Sequence, residues 1–229
     1  MRKIKWILLN TDFSLEEIVK YLSSDSFTEK KGRGFTFNKI RKSYLHGRFI
    51  EKLMLEDKIP TLYGDDTTIQ RVEYRIVDFE IEGAHLPIIS ITNPPRTLKP
   101  FSNSLVKNLG LGISIEEINI NLFQWCEVIE ENLSLKINKI EASQIKVAEF
   151  ALAKMQISSS QDLKKYYCDN LENKNPKIDR LSCEIMTPYF GGRIKLYKNG
   201  MAQIETKNDR ELSNILFESM MRIVSFKDD

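Results

Sequence analysis

The apolar positions at the amino terminus predict a strand followed by a helix. Residues 4–10 form an apolar run typical of a buried strand, and residues 14–24 carry apolar side chains at helical spacing. Ser14 followed by Glu17 is the capping-box arrangement found where a helix begins.

The next stretch is rich in β-forming residues. Its pattern predicts extended chain over 35–55 with a turn near His46–Gly47, a long strand over 68–82 and another strand over 86–92. In the long strand the apolar alternation changes phase at 76–77, which indicates a bulge or a change of burial.

Two helices are expected to complete the first half, over 101–109 and 114–132. Ser114 and Glu117 match the spacing of a second capping box.

The second half repeats this order of elements. Its pattern predicts extended chain over 135–157, a helix over 162–171, strands over 179–187, 192–198 and 201–207, and a helix over 209–224. Asn199–Gly200 joins the last two strands and is a strong hairpin signal, because both residues favour positive φ.

Each half thus contains a strand, a helix, several antiparallel strands and a helix. This order predicts an α+β protein with a curved antiparallel sheet and helices on one face. We expect two pseudo-repeated halves, at 1–132 and 133–229.

The second half also resembles one half of the TATA-binding-protein fold. The resemblance is carried by the apolar strand 147–153, the helix 160–171, the strand 181–186, the hairpin 194–206 and the closing helix. It implies a concave sheet face that binds the minor groove of DNA.

Alternation predicts which residues occupy the face opposite the helices. They are Ser182, Glu184, Met186, Arg193, Lys195, Tyr197, Gln203 and Glu205. Because this set includes two acids, it differs from an apolar and basic DNA-binding saddle, and the resemblance identifies no intercalating residue here.

Composition adds little to the functional picture. The chain has 229 residues, with 34 basic and 32 acidic residues and a formal charge of +2, so nucleic-acid binding would need local clusters of charge. Three separated cysteines without a CxxC motif predict buried, reduced thiols in a cytoplasmic protein. No apolar run approaches the roughly 20 residues of a membrane span.

The strongest local signal is the basic segment, which we define as residues 30–48. It contains seven basic residues and no acid, with aromatic residues between them. The candidate nucleic-acid-binding residues are Lys30, Lys31, Arg33, Lys39, Arg41, Lys42, Tyr44 and Arg48. Cations neutralise phosphates and exposed aromatic rings stack on bases. Alternatively, Phe35 and Phe37 face the core and the cations form a solvated strand face.

The sequence gives little support for catalysis. It predicts no cofactor and no metal site, and the two histidines, His46 and His85, are expected to be structural. Asp65–Asp66, in a turn predicted at 63–66, indicates solvated acids more readily than metal ligands. A nuclease would require carboxylates such as Glu73, Asp78 and Glu80 to converge.

We therefore expect a non-enzymatic binding module. It would bind DNA or RNA through the basic segment, as an accessory subunit of a larger complex. The alternative is a protein–protein adaptor that uses a sheet edge, the proline-rich connector 93–100 or the terminal helix. A nuclease is the third hypothesis.

Overall fold

The computed structural model describes residues 1–60, 64 and 66–224. These residues form an α+β structure with a large antiparallel sheet and five α-helices, as expected. The chain divides into two units, which we call the first unit (Ile7–Glu116) and the second unit (Met1–Trp6 with Glu117–Asp229). The predicted turn at 63–66, including Asp65, lies largely outside the described residues.

The elements follow one another along the chain in two groups. The first group is β1 (Arg2–Asn10), α1 (Leu15–Ser23), β2 (Arg33–Arg41), β3 (Tyr44–Pro60), β4 (Asp66–Glu82), β5 (Ile88–Thr92), α2 (Lys99–Leu109) and β6 (Ser114–Glu117). The second group is α3 (Leu122–Glu130), β7 (Leu135–Ala148), β8 (Ala151–Ser158), α4 (Lys164–Asn170), β9 (Lys177–Ile185), β10 (Gly192–Tyr197), β11 (Met201–Glu205) and α5 (Asp209–Met221).

The two units order their strands differently. In the first unit the order is β2-β3-β4-β5-β1, so the first strand lies beside the last. In the second unit the order is β11-β10-β9-β7-β8, and β1 contributes its first residues beside β11. There β7 pairs with β9, the first strand after helix α4.

An aromatic cluster forms the core of the first unit. The ring of Phe35 lies 5.2 Å from Phe49, 6.1 Å from Phe79 and 6.4 Å from Phe101. These rings belong to β2, β3, β4 and α2, so one helix face and one sheet face are buried together. Helix α1 adds Leu15, Ile18 and Leu22 to the same core, and its predicted capping box, Ser14 with Glu17, is confirmed.

The turn expected near His46–Gly47 was wrong. The turn lies at Lys42–Ser43, and Gly47 sits inside β3. A Cβ atom on Gly47 would lie 2.9 Å from Phe79 Cζ and 3.1 Å from Phe37 Cδ1. Position 47 therefore requires glycine because aromatic rings pack closely against the strand there, and not because the chain turns.

The structure explains why the alternation of apolar residues changes phase at positions 76–77 of β4. Its register with β3 is continuous, so there is no bulge there. Ile76 is 46% exposed, whereas Val77, Phe79 and Ile81 are at most 1% exposed. The change is one of burial.

Two tryptophans form the centre of the second unit. Trp6 and Trp125 are 2% and 0% exposed, with ring centroids 6.1 Å apart in an edge-to-face arrangement. Trp125 Nε1 donates to the carbonyl of Leu216 on α5 at 3.1 Å. Met220 on that helix is 0% exposed, so its apolar side packs into its own unit.

Two sequence expectations fail at exposed or short elements. The predicted strand 147–153 is interrupted by a turn between Ala148 and Ala151, and Phe150 at that turn is 95% exposed. Ser114 and Glu117 do not cap a helix, because residues 114–117 form β6 and pair with β1. Helix α3 begins later and is capped by the Asn121 side chain.

The Asn199–Gly200 turn is confirmed, with a different conformation. Gly200 has φ of 69°, while Asn199 is not among the described residues with positive φ. The strands end at Tyr197 and begin at Met201, so the connection is a three-residue turn with glycine in the left-handed position.

The cysteines give a testable prediction. Cys126 and Cys183 are buried with sulfur atoms 4.0 Å apart, and the hydrogen bond to Cys183, together with burial, raises the pKa of the Cys126 thiol. Cys168 is exposed, so the expectation that all three are buried was wrong. We expect a thiol reagent at neutral pH to label Cys168 in the folded protein and all three cysteines after unfolding, as counted by intact mass spectrometry. Rapid native labelling of Cys126 would contradict the packing described here.

No α-helix among the described residues is long and apolar enough to cross a membrane.

Candidate nucleic-acid interface

The basic segment forms the β2–β3 hairpin and the loop before it. Strand β2 ends at Arg41, the chain turns at Lys42–Ser43, and β3 begins at Tyr44. Lys39, Arg41 and Lys42 are all exposed at this end of the hairpin. We call these three residues the hairpin-tip cations.

Sheet register determines which side chains share a face. Phe35 pairs with Phe49 on the core side, and the register shifts between Phe37 and Lys39. After this bulge, Lys39 pairs with His46 and Arg41 with Tyr44. Paired residues project to the same side of a sheet, so Lys39, Arg41 and Arg48 share the face opposite the aromatic core. Phe35 faces the core, as the alternative interpretation held.

Strand β4 places acids on this open face. Arg48 Nε lies 3.0 Å from Asp78 Oδ2, and His46 Nε2 lies 2.8 Å from Asp78 Oδ1. Asp78 therefore holds Arg48 and orients His46. The hairpin-tip cations differ, because none of them forms an ion pair within 4 Å in the described part of the chain.

Tyr44 lies between the cations and the acids. Burial and the neighbouring Glu80, by charge and by hydrogen bonding, raise the pKa of the Tyr44 phenol to about 12. The ammonium of Lys39 lies 5.5 Å from the centre of the Tyr44 ring, within cation–π range. The phenol stays protonated at neutral pH, and its ring supports Lys39.

The remaining basic residues of the segment lie elsewhere. Lys31 pairs with Asp25, and although burial opposes the shift, bonds from Lys31 and Asn108 leave the pKa of Asp25 below its usual value. Arg33 pairs in register with Glu51, on the helix-covered side of the strands. Lys30 is exposed in the loop before β2. The eight candidates thus do not form one surface.

Sequence reasoning missed a second cationic surface, on the open face of the second unit. Register partners cross six strands in one row: Lys3, Gln203, Lys195, Ser182, Lys139 and Ser158. We call this the lysine row. Adjacent strands lie about 4.8 Å apart, so successive lysines are spaced by roughly 10 Å.

The neighbouring row on this face contains compensated charges, and its Glu141 also forms an ion pair with Lys139 of the lysine row at 3.5 Å. Arg180 pairs with Glu141, and its guanidinium lies 5.6 Å from the centre of the Tyr197 ring. Lys5 pairs with Glu117. Register also confirms that Ser182, Glu184, Arg193, Lys195, Tyr197, Gln203 and Glu205 share this face. Only the pairing of β1 and β7 with these strands adds Lys3 and Lys139, which no local pattern could have indicated.

The carboxylates of β4 do not converge. Glu73 pairs with Leu53 and Asp78 with Arg48, and the two acids are five positions apart, so they project to opposite sides of the strand. Among the three acids, only Asp78 and Glu80 share a side. Among residues 1–60, 64 and 66–224, no group of three or more histidine, cysteine, aspartate or glutamate side chains is placed to hold a metal ion. His85 pairs with Glu82 at 3.1 Å.

Comparison with models of known protein families gave no match, and none was found among curated proteins.

Proposed function

We propose that this protein is a nucleic-acid-binding module that contacts phosphates through the hairpin-tip cations. The observation that carries the proposal is three exposed cations at one end of a hairpin without a carboxylate within 4 Å. Such cations remain available to neutralise phosphates and release counterions. Arg48 has a different role, because Asp78 already holds it.

The lysine row supports the same function. Lysines spaced by roughly 10 Å across an open sheet suit an extended polyanion better than a small ligand. Ser182, which lies between Lys195 and Lys139, adds a hydroxyl without negative charge.

The order of strands and helices, which resembles that of the TATA-binding-protein fold, also supports the proposal. The resemblance over residues 144–226 implies the order strand, helix, three strands, helix, and the second unit contains β8, α4, β9, β10, β11 and α5 in that order. We extend it to a pseudo-repeat of two such halves with a nucleic-acid-binding sheet face. The different strand orders of the two units argue against transferring the details of DNA bending.

The proposal predicts measurable binding at low salt. Fluorescence anisotropy with labelled single- and double-stranded DNA and RNA should show saturable binding at micromolar protein, weakening as salt rises. Absence of binding to all four probes at low salt would refute the proposed function. A preference among the four probes would show which class of nucleic acid the module favours.

A protein–protein adaptor is the second candidate, favoured by one surface. Beyond Glu51, β3 is no longer paired with β2, and β4 residues before Asp78 are not paired with β5. This part of the β3–β4 hairpin is a two-stranded ribbon. Met54 and Val72 face each other on it and are 61% and 46% exposed. Exposed apolar side chains of this kind are typical of interaction sites.

Matched valine substitutions in β4 test whether this ribbon is surface or core. Val72→Ala is expected to change the free energy of unfolding by less than about 0.5 kcal/mol, because Val72 is half exposed. Val77→Ala should cost about 2 kcal/mol, since Val77 is 1% exposed. Chemical denaturation measures both values. Equal losses would show that the ribbon is packed against something that the structure does not contain.

A further inference from the structure

A groove in the first unit lies between helix α2 and the paired edge of β2 and β3. Its volume is about 370 Å³, which is at the lower end of the range of small-molecule sites, roughly 300–1,000 Å³. Phe49 and Pro100 supply apolar lining. Arg33 and Lys99 belong to the basic segment and the proline-rich connector, and neither contributes to the hairpin tip.

One wall of the groove is a polar stripe of α2. Lys99, Asn103 and Lys107 recur every four residues and therefore lie along one face of the helix. With a rise of 1.5 Å per residue, the two lysines are separated by about 12 Å along the axis. The stripe presents two cations with a hydrogen-bonding amide between them.

The opposite wall carries one further cation and one carboxylate. Arg33 and Glu51 are register partners on β2 and β3. Glu51 already accepts a hydrogen bond from Arg75 Nη1 at 2.8 Å, so its charge is balanced within the fold. Arg33, Lys99 and Lys107 form no ion pair within 4 Å in the described ranges. The groove therefore has an excess of positive charge.

We propose that this groove binds the phosphate monoester of a nucleotide. A phosphate monoester is dianionic near neutral pH, and the arginine fork and lysine ammonium groups are the side chains that recognise phosphate best. Because the cations are spread over about 12 Å, one inorganic phosphate ion contacts only some of them, whereas an elongated phosphate ester extends further along the groove.

The same chemistry has two sources, a free mononucleotide or the phosphorylated end of a nucleic-acid chain. The site does not depend on the proposed function, because Arg33 lies on the helix-covered side of β2 and the hairpin-tip cations do not line the groove.

Backbone amide NMR of the full chain, titrated with AMP and separately with inorganic phosphate, tests this site. We expect AMP to shift the amide signals of Arg33 and of residues 97–107. The Lys99→Gln/Lys107→Gln variant should bind AMP at least about tenfold more weakly, a loss of about 1.4 kcal/mol. Both lysines are exposed, so the variant should fold. Lys165→Gln/Lys174→Gln, at two exposed lysines outside the groove, makes the same change in charge and should bind AMP as the unaltered protein does.

Two oligonucleotides of one sequence, with a 5′-phosphate or a 5′-hydroxyl, distinguish the sources. Tighter binding of the phosphorylated form, lost in the Lys99→Gln/Lys107→Gln variant, would assign the site to a nucleic-acid end. Equal binding of both forms, with AMP shifts intact, would assign it to a mononucleotide. Two results would overturn the proposal. The first is that AMP at millimolar concentration shifts no amide signal and oligonucleotide binding shows no preference for the 5′-phosphate. The second is that the double variant binds AMP with the same affinity as the unaltered protein. If the unaltered protein binds neither oligonucleotide but still binds AMP, only the proposed function is refuted.

Discussion

Charge reversal of the hairpin-tip cations, Lys39→Glu/Arg41→Glu/Lys42→Glu, is expected to weaken oligonucleotide binding roughly 100-fold or more. Each phosphate contact contributes about 1 kcal/mol, and a tenfold change corresponds to about 1.4 kcal/mol. Three lost contacts therefore give about two orders of magnitude, and repulsion by the new carboxylates adds to this. Anisotropy titrations at one fixed low salt concentration measure the change.

The control must make the same change in net charge at other sites. Lys165, Lys174 and Lys207 are exposed and form no ion pair in the part of the chain that the structure describes. Replacing these three by glutamate should reduce the affinity far less than the hairpin-tip variant does. If both variants weaken binding equally, the interaction is a general effect of net charge and the hairpin tip is not a site.

Phe35→Ala is expected to lower the free energy of unfolding by about 3–5 kcal/mol. Phe35 is 1% exposed and contacts three other aromatic rings, so its removal leaves a large cavity in the first unit. This loss is a large part of the stability of a typical domain, about 5–15 kcal/mol. Denaturant titration followed by circular dichroism measures it.

Phe150→Ala is the matched control for this substitution. Phe150 is 95% exposed in the turn between β7 and β8, so its removal should change the free energy of unfolding by less than about 0.5 kcal/mol. A small effect at Phe35 would contradict its place in the core and favour the interpretation in which its ring is available to stack on bases.

The elements that sequence predicted best are those with strong local signals. Helix α1 has both a helical apolar stripe and a capping box, and the β10–β11 hairpin has an Asn–Gly turn between alternating strands. In each case local propensity and burial favour the same structure.

The failures occur where tertiary contacts override a local signal. Gly47 resembles a turn residue, but the rings of Phe79 and Phe37 leave no room for a side chain at that place in β3. Ser114 and Glu117 have capping-box spacing, yet pairing with β1 draws them into a strand. The apolar run 147–153 suggested burial, although its residues surround an exposed turn.

The candidate site was predictable in part. Clustering of charge identified the hairpin-tip cations, which the structure leaves without carboxylate partners. It did not indicate that Asp78, thirty residues after Arg48, would neutralise that arginine, because this depends on the register of β3 with β4. The lysine row depends on pairing between β1 and β11, at opposite ends of the chain, and is invisible to any local pattern.

The salt dependence of binding shows whether the hairpin-tip cations contact phosphates. For single strands the slope of log Kobs against log salt changes by about 0.7 for each phosphate contact. Replacing the hairpin-tip cations by glutamine removes three charges without adding repulsion. We expect the slope for the Lys39→Gln/Arg41→Gln/Lys42→Gln variant to be shallower by about 2. Parallel lines for the variant and the unaltered protein would contradict it.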